Sequence, residues 1–185
     1  IELPGLKDME FSCDYFELFG LPIGYKVDLV LLAKRYQELQ FKFHPDRHMR
    51  GTPKEKKLAV INISYINQAY TELKSSLLRA KYLLSLQEKI DFNQTQIIHD
   101  PLFLMEQMDL REQLDSARKT ADAFIALEEL NETASRRYKE IQELFEQQFN
   151  EKNYEAAADS LAKMQFIDKF LNEINRFEEE SDNLT

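Results

Sequence analysis

The stretch that decides the fold is DLVLLAKRYQELQFKFHPD, which occupies residues 28–46. Asp28 is a good helix N-cap, and the apolar residues after it recur at steps of three and four, as they do on one face of an α-helix. These apolar residues are Leu29, Leu32, Tyr36, Leu39 and Phe43. Because a proline disfavours α geometry in the preceding residue, Pro45 predicts that the helix ends at His44. The stretch therefore predicts an amphipathic helix followed by a rigid corner.

Helical signals flank this stretch on both sides. Upstream, a short apolar turn at residues 15–19 is followed by Gly20 and Pro22, a combination that ends helices. Downstream, residues 52–55 (Thr-Pro-Lys-Glu) form a capping box with proline in the first turn. The helix that follows directs these residues toward a core: Leu58, Ile61, Tyr65, Ala69 and Leu73. Two amphipathic helices of similar length with a short connection predict an antiparallel hairpin.

The second half of the chain continues the helical pattern. Another short helix is predicted at residues 77–86, and residues 87–99 have no sustained period. Asp100-Pro101 then caps a helix to about residue 119, a long helix follows to about residue 152, and Asn153 caps the last one. Their apolar positions include Leu104, Met108, Leu110 and Leu114, then Phe124, Leu127, Ile141, Leu144, Phe145 and Phe149, and finally Leu161, Met164, Ile167, Phe170, Leu171 and Ile174. We predict a three-helix bundle.

Composition agrees with an all-α protein and limits its function. Only 4 Gly and 5 Pro among 185 residues leave few sites for tight hairpins. Residues 1–86 contain 13 Lys and Arg against 10 Asp and Glu, whereas the remainder contains 11 against 23, so the net charges are +3 and −12. An acidic second half argues against binding a nucleic-acid backbone. The single cysteine, Cys13, allows no internal disulfide, and no stretch is apolar enough to span a membrane.

His44-Pro45-Asp46 is the candidate functional motif. Pro45 fixes the direction of the chain, so that the Asp46 carboxylate becomes a pre-organised acceptor for an arginine of a partner. Basic residues on the preceding helix and beside the motif would face an acidic patch of that partner: Lys34, Arg35, Lys42 and Arg47. The structural alternatives are a turn aspartate, a helix-terminal histidine and a solvated basic face.

The order of these elements resembles a J-domain. The motifs that carry the resemblance are YFELFGL at residues 15–21, the His-Pro-Asp motif and INQAY at residues 66–70. Four further stretches, at residues 79–85 (RAKYLLS), 103–115 (FLMEQMDLREQLD), 156–159 (AAAD) and 166–169 (FIDK), are similar to the HscB-type J-domain co-chaperones of iron–sulfur cluster biogenesis. That resemblance implies an all-α protein with a J-domain helical hairpin and a C-terminal three-helix bundle in an L-shaped two-domain arrangement.

On this resemblance the chain divides into an N-terminal extension or cloning remnant at 1–12, a J-domain at 13–86, a connection at 87–99, a scaffold-binding bundle at 100–180 and a frayed tail at 181–185. The family's role implies a non-enzymatic co-chaperone without a cofactor. Its partners are the DnaK-type ATPase HscA, which the His-Pro-Asp surface binds and stimulates, and the scaffold protein IscU.

The family's scaffold-binding face falls on Leu104, Met105, Met108, Asp109, Glu112 and Phe166, with Asp109 where glutamate is more familiar. A Leu/Met stripe at helical spacing is usually core, but Leu110 and Leu114 could supply the core instead. Eukaryotic members of the family often carry an N-terminal segment with paired cysteines, whereas Cys13 is the only cysteine of this sequence. We therefore expect a bacterial cytoplasmic protein rather than one of the mitochondrial matrix.

Four alternatives compete with this interpretation. A J-protein serving a general DnaK chaperone would have a Gly/Phe-rich linker or a Cys-repeat zinc module, and neither is visible. An enzyme would need a convergent reactive cluster, which three scattered histidines and one cysteine do not provide. His44 and His48 are spaced like metal ligands, but Pro45 breaks the helix between them. A coiled coil would need sustained heptads, but the apolar periods of this sequence break at each capping signal.

Overall fold

The protein is described by a computed structural model at residues 13–44, 52–87, 100–120 and 122–182, with the side chains of the last helix described to Phe177. All regular structure within these ranges is helical, as predicted. The chain divides into two compact units, residues 1–86 and 87–185. The helices are α1 (Tyr15–Phe19), α2 (Leu29–Phe43), α3 (Pro53–Lys74), α4 (Ser76–Ser85), α5 (Pro101–Ala117), α6 (Ala123–Asn150) and α7 (Tyr154–Asp182).

Local capping interactions set the helix ends of the first unit. Gly20 ends α1 in the left-handed conformation, with φ at 62°. The Asp28 carboxylate accepts hydrogen bonds from the first free backbone N–H groups of α2. Thr52 and Glu55 form both halves of the predicted capping box at the start of α3. These caps satisfy backbone groups that the helices leave free, which is why the sequence alone locates them.

The first unit is built around the contact between α2 and α3. Leu32 and Leu39 of α2 are fully buried or nearly so, as are Ile66 and Leu73 of α3. The Tyr36 ring stacks on Tyr70 with ring centroids 3.9 Å apart. Its hydroxyl donates a hydrogen bond of 3.0 Å to the side-chain oxygen Oδ1 of Asn67. These contacts hold α2, and with it the helix that leads to His44, in a fixed orientation on α3.

The predicted apolar faces are partly wrong. Ile61 is 47% exposed, and the buried positions of α3 are instead Ala59, Asn62, Ile66, Ala69 and Leu73. The predicted apolar stripe of α3 is rotated about the helix axis toward one margin of the buried face. The reason is that α3 is apolar over a wide arc. Phe124 and Leu144 are also exposed, since they lie on the margins of the buried stripe of α6. Leu29 is half exposed because it is the first residue of α2.

The second unit contains α5, α6 and α7. A short turn after α6 places Lys152 in the left-handed conformation, with φ at 60°, and reverses the chain into α7. The Asn153 side chain accepts a hydrogen bond from the Ala156 N–H, as its predicted capping role requires. The core combines these buried side chains: Phe103, Leu110, Leu114, Leu127, Ile141, Phe145, Met164, Ile167 and Phe170. In the described part of the chain, no helix is both long and apolar enough to cross a membrane.

Candidate functional site

The basic surface of the first unit lies on α2, on the side away from α3. Lys34 and Lys42 are exposed, and they lie two helical turns apart. Arg35 differs, because its side chain is only 27% exposed and its guanidinium donates to Glu38 at 3.1 Å. Glu38 therefore offsets the charge of Arg35, and Lys34 and Lys42 are the more accessible cations of this surface. We call the exposed side of α2 that carries Lys34 and Lys42 the α2 strip.

The α2 strip leads to the His-Pro-Asp motif. His44 is exposed and forms the C-cap of α2, with φ at −57° and ψ at 129°, which is the extended geometry expected before a proline. Pro45, Asp46 and Arg47 lie outside the described residues. Their roles therefore stay predictions.

The second unit presents an apolar surface on α5. Leu104, Met105 and Met108 are 45%, 62% and 65% exposed. The core face of the same helix is formed by Phe103, Leu110 and Leu114, which are all buried. A bundle helix needs only one apolar stripe, so these three exposed residues, which we call the α5 strip, are surplus to folding.

Phe166 on α7 lies beside α5. Its ring contacts Phe103 edge to face, with centroids 5.9 Å apart, and the Arg111 guanidinium lies 5.7 Å from its centroid. Arg111 is one turn beyond Met108 and two turns beyond Leu104, so these three side chains share one side of α5. The structure thus brings Phe166 to the edge of the α5 strip. Arg111 could not be identified from the sequence, because a contact between helices leaves no local signal.

Asp109 and Glu112 lie on the other edge of α5, where they line an open groove between α5 and α6 of about 550 Å³. Glu129 of α6 lines the same groove. Their neighbours on α5 are paired: Glu106 with Arg137 at 2.7 Å, and Asp115 with Arg118 at 3.6 Å. Among the described residues Asp109 and Glu112 have no ion-pair partner, so this edge of α5 keeps its negative charge.

An ion pair and a cap fix the start of α5. One carboxylate oxygen of Asp100 accepts from the N–H groups of Leu102 and Phe103 at 3.0 and 3.2 Å. The other oxygen accepts from the Lys163 ammonium group at 2.6 Å. The hydrogen bond from Lys163, followed by that from the Phe103 N–H, lowers the pKa of Asp100. Asp100 thereby connects the first turn of α5, just before the α5 strip, to α7.

No group of three or more His, Cys, Asp or Glu residues within the described ranges is placed to hold a metal ion. The features that distinguish the surface are instead a cationic strip on one unit and an apolar strip with an acidic edge on the other. The fold and these surfaces define the class, an all-helical two-unit protein with a cationic strip on one unit and an apolar strip on the other.

Comparisons with known proteins identify the family. Residues 99–175 match the family model described as the HSCB C-terminal oligomerisation domain. A co-chaperone protein HscB homolog of Vibrio cholerae is 40% identical over 90% of this chain and 98% of its own length. The structure of chaperone HscB from Vibrio cholerae, at 39% identity, superposes with a TM-score of 0.82 over 91% of this chain and 99% of that one. The crystal structure of human co-chaperone protein HscB, at 27% identity, gives a TM-score of 0.81 and covers 95% of this chain and 93% of that one. The chain belongs to the HscB family of co-chaperones.

Proposed function

We propose that the chain is an adaptor that binds the iron–sulfur scaffold protein IscU, delivers it to the DnaK-type chaperone HscA and stimulates ATP hydrolysis by that chaperone. Membership of the HscB co-chaperone family supports the proposal. The observation that carries it is the α5 strip, because Leu104, Met105 and Met108 are exposed although α5 already has a complete buried face.

The scaffold would bind to the α5 strip and its two edges. Leu104, Met105 and Met108 offer an apolar centre, and methionine side chains adapt well to a partner surface. Phe166 adds an aromatic group at one edge, while Asp109 and Glu112 add negative charge at the other. Such a surface suits a partner patch that is apolar in the middle and basic at its rim.

The chaperone would bind to the α2 strip and the His-Pro-Asp motif. Lys34 and Lys42, with Arg35 and Arg47 beside them, would orient an acidic surface of the ATPase domain, since complementary charge mainly sets the rate and geometry of encounter. His44, Pro45 and Asp46 would then contact the chaperone at a fixed angle. The barrier to ATP hydrolysis is lowered in the chaperone's own site, so the adaptor is not an enzyme and needs no cofactor. Its bacterial relatives fit action in the cytoplasm.

The decisive test is substitution of Asp46. We expect Asp46→Ala to reduce stimulation of the HscA ATPase by at least about tenfold, because a charge-assisted contact to a partner arginine is typically worth about 1.5–3 kcal/mol. The measurement is the steady-state ATPase rate of HscA with IscU and increasing amounts of the full-length adaptor.

Binding of IscU provides the internal control for this experiment. Asp46→Ala should bind IscU with the wild-type affinity in a calorimetric titration, because its substitution lies in the other unit. Normal ATPase stimulation by Asp46→Ala would exclude the proposed role of the motif. Absence of IscU binding by the wild-type protein would exclude the proposed cargo.

A further inference from the structure

The groove between α5 and α6 of the second unit has carboxylates on both of its walls. Asp109 and Glu112 lie on the α5 wall, and Glu129 lies on the α6 wall. The groove is open to solvent and has a volume of about 550 Å³. Clefts that hold a ligand usually measure roughly 300–1,000 Å³. Three negative charges therefore surround one space that a group of a partner can enter.

The remaining lining of the groove is neutral. No lysine, arginine or histidine is among the described residues that line it. Ala126 and Leu130 contribute apolar surface, whereas Ser116 and Thr133 contribute hydroxyl groups. Long basic side chains pack an apolar stem against such surface and keep the charged end at polar groups. The lining thus matches the chemistry of a lysine or arginine side chain.

The three carboxylates of the groove are available to such a side chain. Elsewhere on the same two helices, Glu106 pairs with Arg137 at 2.7 Å. By contrast, Glu129 and the two carboxylates opposite it have no ion-pair partner in the part of the chain that the structure describes. Like charges around one space repel one another, and a cation supplied by a partner would relieve this repulsion.

We propose that Glu129 is a further scaffold-binding residue and that the groove receives a lysine or arginine side chain of IscU, an inference that rests on the proposed function. Asp109 and Glu112 belong both to the groove and to the edge of the α5 strip, so one partner can cover both surfaces. The α5 strip would provide affinity, while the groove would select a partner with a basic residue at a fixed position beside its apolar patch.

Charge favours this occupant over a second copy of the chain and over a metal ion. In a two-fold symmetric contact between copies the same patch meets itself, so the acidic grooves would face each other and repel. A metal ion fits less well, because within the described ranges no three of these residue types are placed to hold one. A basic side chain meets neither objection.

The test is calorimetric titration of the full-length protein with IscU at several salt concentrations. We expect Glu129→Gln to weaken binding about tenfold at low salt, because a charge-assisted contact is lost, and the loss should shrink as salt is raised. Thr133→Trp adds no charge but fills the groove, so it should weaken binding by a similar factor at every salt concentration. Neither variant should lower the urea midpoint, since both residues are exposed.

The chain offers a matched control for each variant. Glu128 is the exposed neighbour of Glu129 and does not line the groove, so Glu128→Gln removes the same charge at a different place. Ser135 is likewise exposed on α6 outside the groove, so Ser135→Trp controls for the added ring. Both control variants should bind IscU with the wild-type affinity.

Three results would overturn this inference while the proposed function stands. The first is wild-type affinity for Glu129→Gln, which would mean that IscU binds through the α5 strip without the α6 wall. The second is an equal loss for Glu128→Gln, which would mean that net charge governs binding. The third is wild-type affinity for Thr133→Trp, because a filled groove cannot receive a side chain. Failure of the wild-type protein to bind IscU at all would overturn both the inference and the proposed function.

Discussion

The α2 strip and the α5 strip are both exposed helix surfaces, but they differ in chemistry. The α2 strip is defined by Lys34 and Lys42. The α5 strip is defined by Leu104, Met105 and Met108, with the carboxylates of Asp109 and Glu112 along one edge. Charged surfaces act mainly on encounter rate and are weakened by salt, whereas apolar surfaces provide affinity in proportion to the area buried. The two surfaces should therefore respond differently to salt and to truncation.

The two strips are also held in place by different interactions. Neutral contacts fix α2, namely the stacking of Tyr36 on Tyr70 and the hydrogen bond from Tyr36 to Asn67. The start of α5 is fixed by the ion pair between Asp100 and Lys163. Of these two contacts only the second includes a carboxylate, so acid should weaken the attachment of α5 to α7 before it weakens the attachment of α2 to α3.

The largest effect is expected from removing the apolar centre of the α5 strip. Leu104→Ser combined with Met108→Ser should weaken IscU binding by roughly 10- to 100-fold, because two partly exposed anchors would no longer bury apolar surface in the complex. The free energy of unfolding should change by less than about 0.5 kcal/mol per site, as is usual for surface positions. Calorimetric titration and urea unfolding measure the two quantities.

A core residue of the same helix provides the control. Leu114 is buried, so Leu114→Ala should cost about 2–5 kcal/mol of unfolding free energy. The folded fraction of that variant should still bind IscU normally. Unchanged affinity in the double serine variant would remove the α5 strip as the scaffold-binding surface and erase the contrast between the two surfaces.

A smaller effect, and one that depends on salt, is expected on the α2 strip. Lys34→Glu combined with Lys42→Glu should slow association with HscA by about tenfold at low salt, because the charge facing an acidic surface changes sign. The effect should shrink as ionic strength rises, since exposed charges are screened beyond about 8 Å at 0.15 M salt. Stopped-flow association rates at several salt concentrations measure it.

Two exposed lysines elsewhere in the first unit serve as the comparison, Lys74 at the end of α3 and Lys81 on α4. Reversing their charges changes the net charge of the protein by the same amount at a different place. An equal slowing in this control variant would mean that net charge, rather than the α2 strip, governs association. IscU binding should be unaffected in both variants.

The helix ends could be predicted from sequence because their causes are local. Asp28, Thr52 with Glu55, and Asp100 each cap backbone groups within three residues, and the structure contains all these hydrogen bonds. The core faces were harder to predict. Ile61 and Phe124 fit an apolar period, yet both are exposed, because the period does not say which part of a wide apolar arc meets a neighbouring helix.

The candidate sites show the same limit. The exposure of Leu104 and Met108 could be anticipated, because Leu110 and Leu114 sufficed for the core. The contact of Arg111 with Phe166 and the pairing of Arg35 with Glu38 could not. Contacts between helices, and the choice among several possible partners on one helix, depend on how the helices pack.

The smallest effect is expected from the ion pair that anchors α5. Because the pKa of Asp100 is lowered in the folded state, its stabilising contribution is fully present above the unfolded value of about 3.9 and is lost as pH falls through the folded value.

Asp100→Asn keeps an N-cap but loses the charge. Its urea midpoint should lie below that of the wild type at pH 6, and the two should converge as pH falls below the lowered pKa of Asp100. Amide hydrogen exchange should locate the wild-type loss at the start of α5 and leave the part of α2 around Tyr36, which stacks on Tyr70, protected. Asp159→Asn, at an exposed carboxylate of α7, should follow the wild type throughout. A gap between Asp100→Asn and wild type that stays constant down to pH 2 would mean that the cap, not the ion pair with Lys163, holds α5 in place.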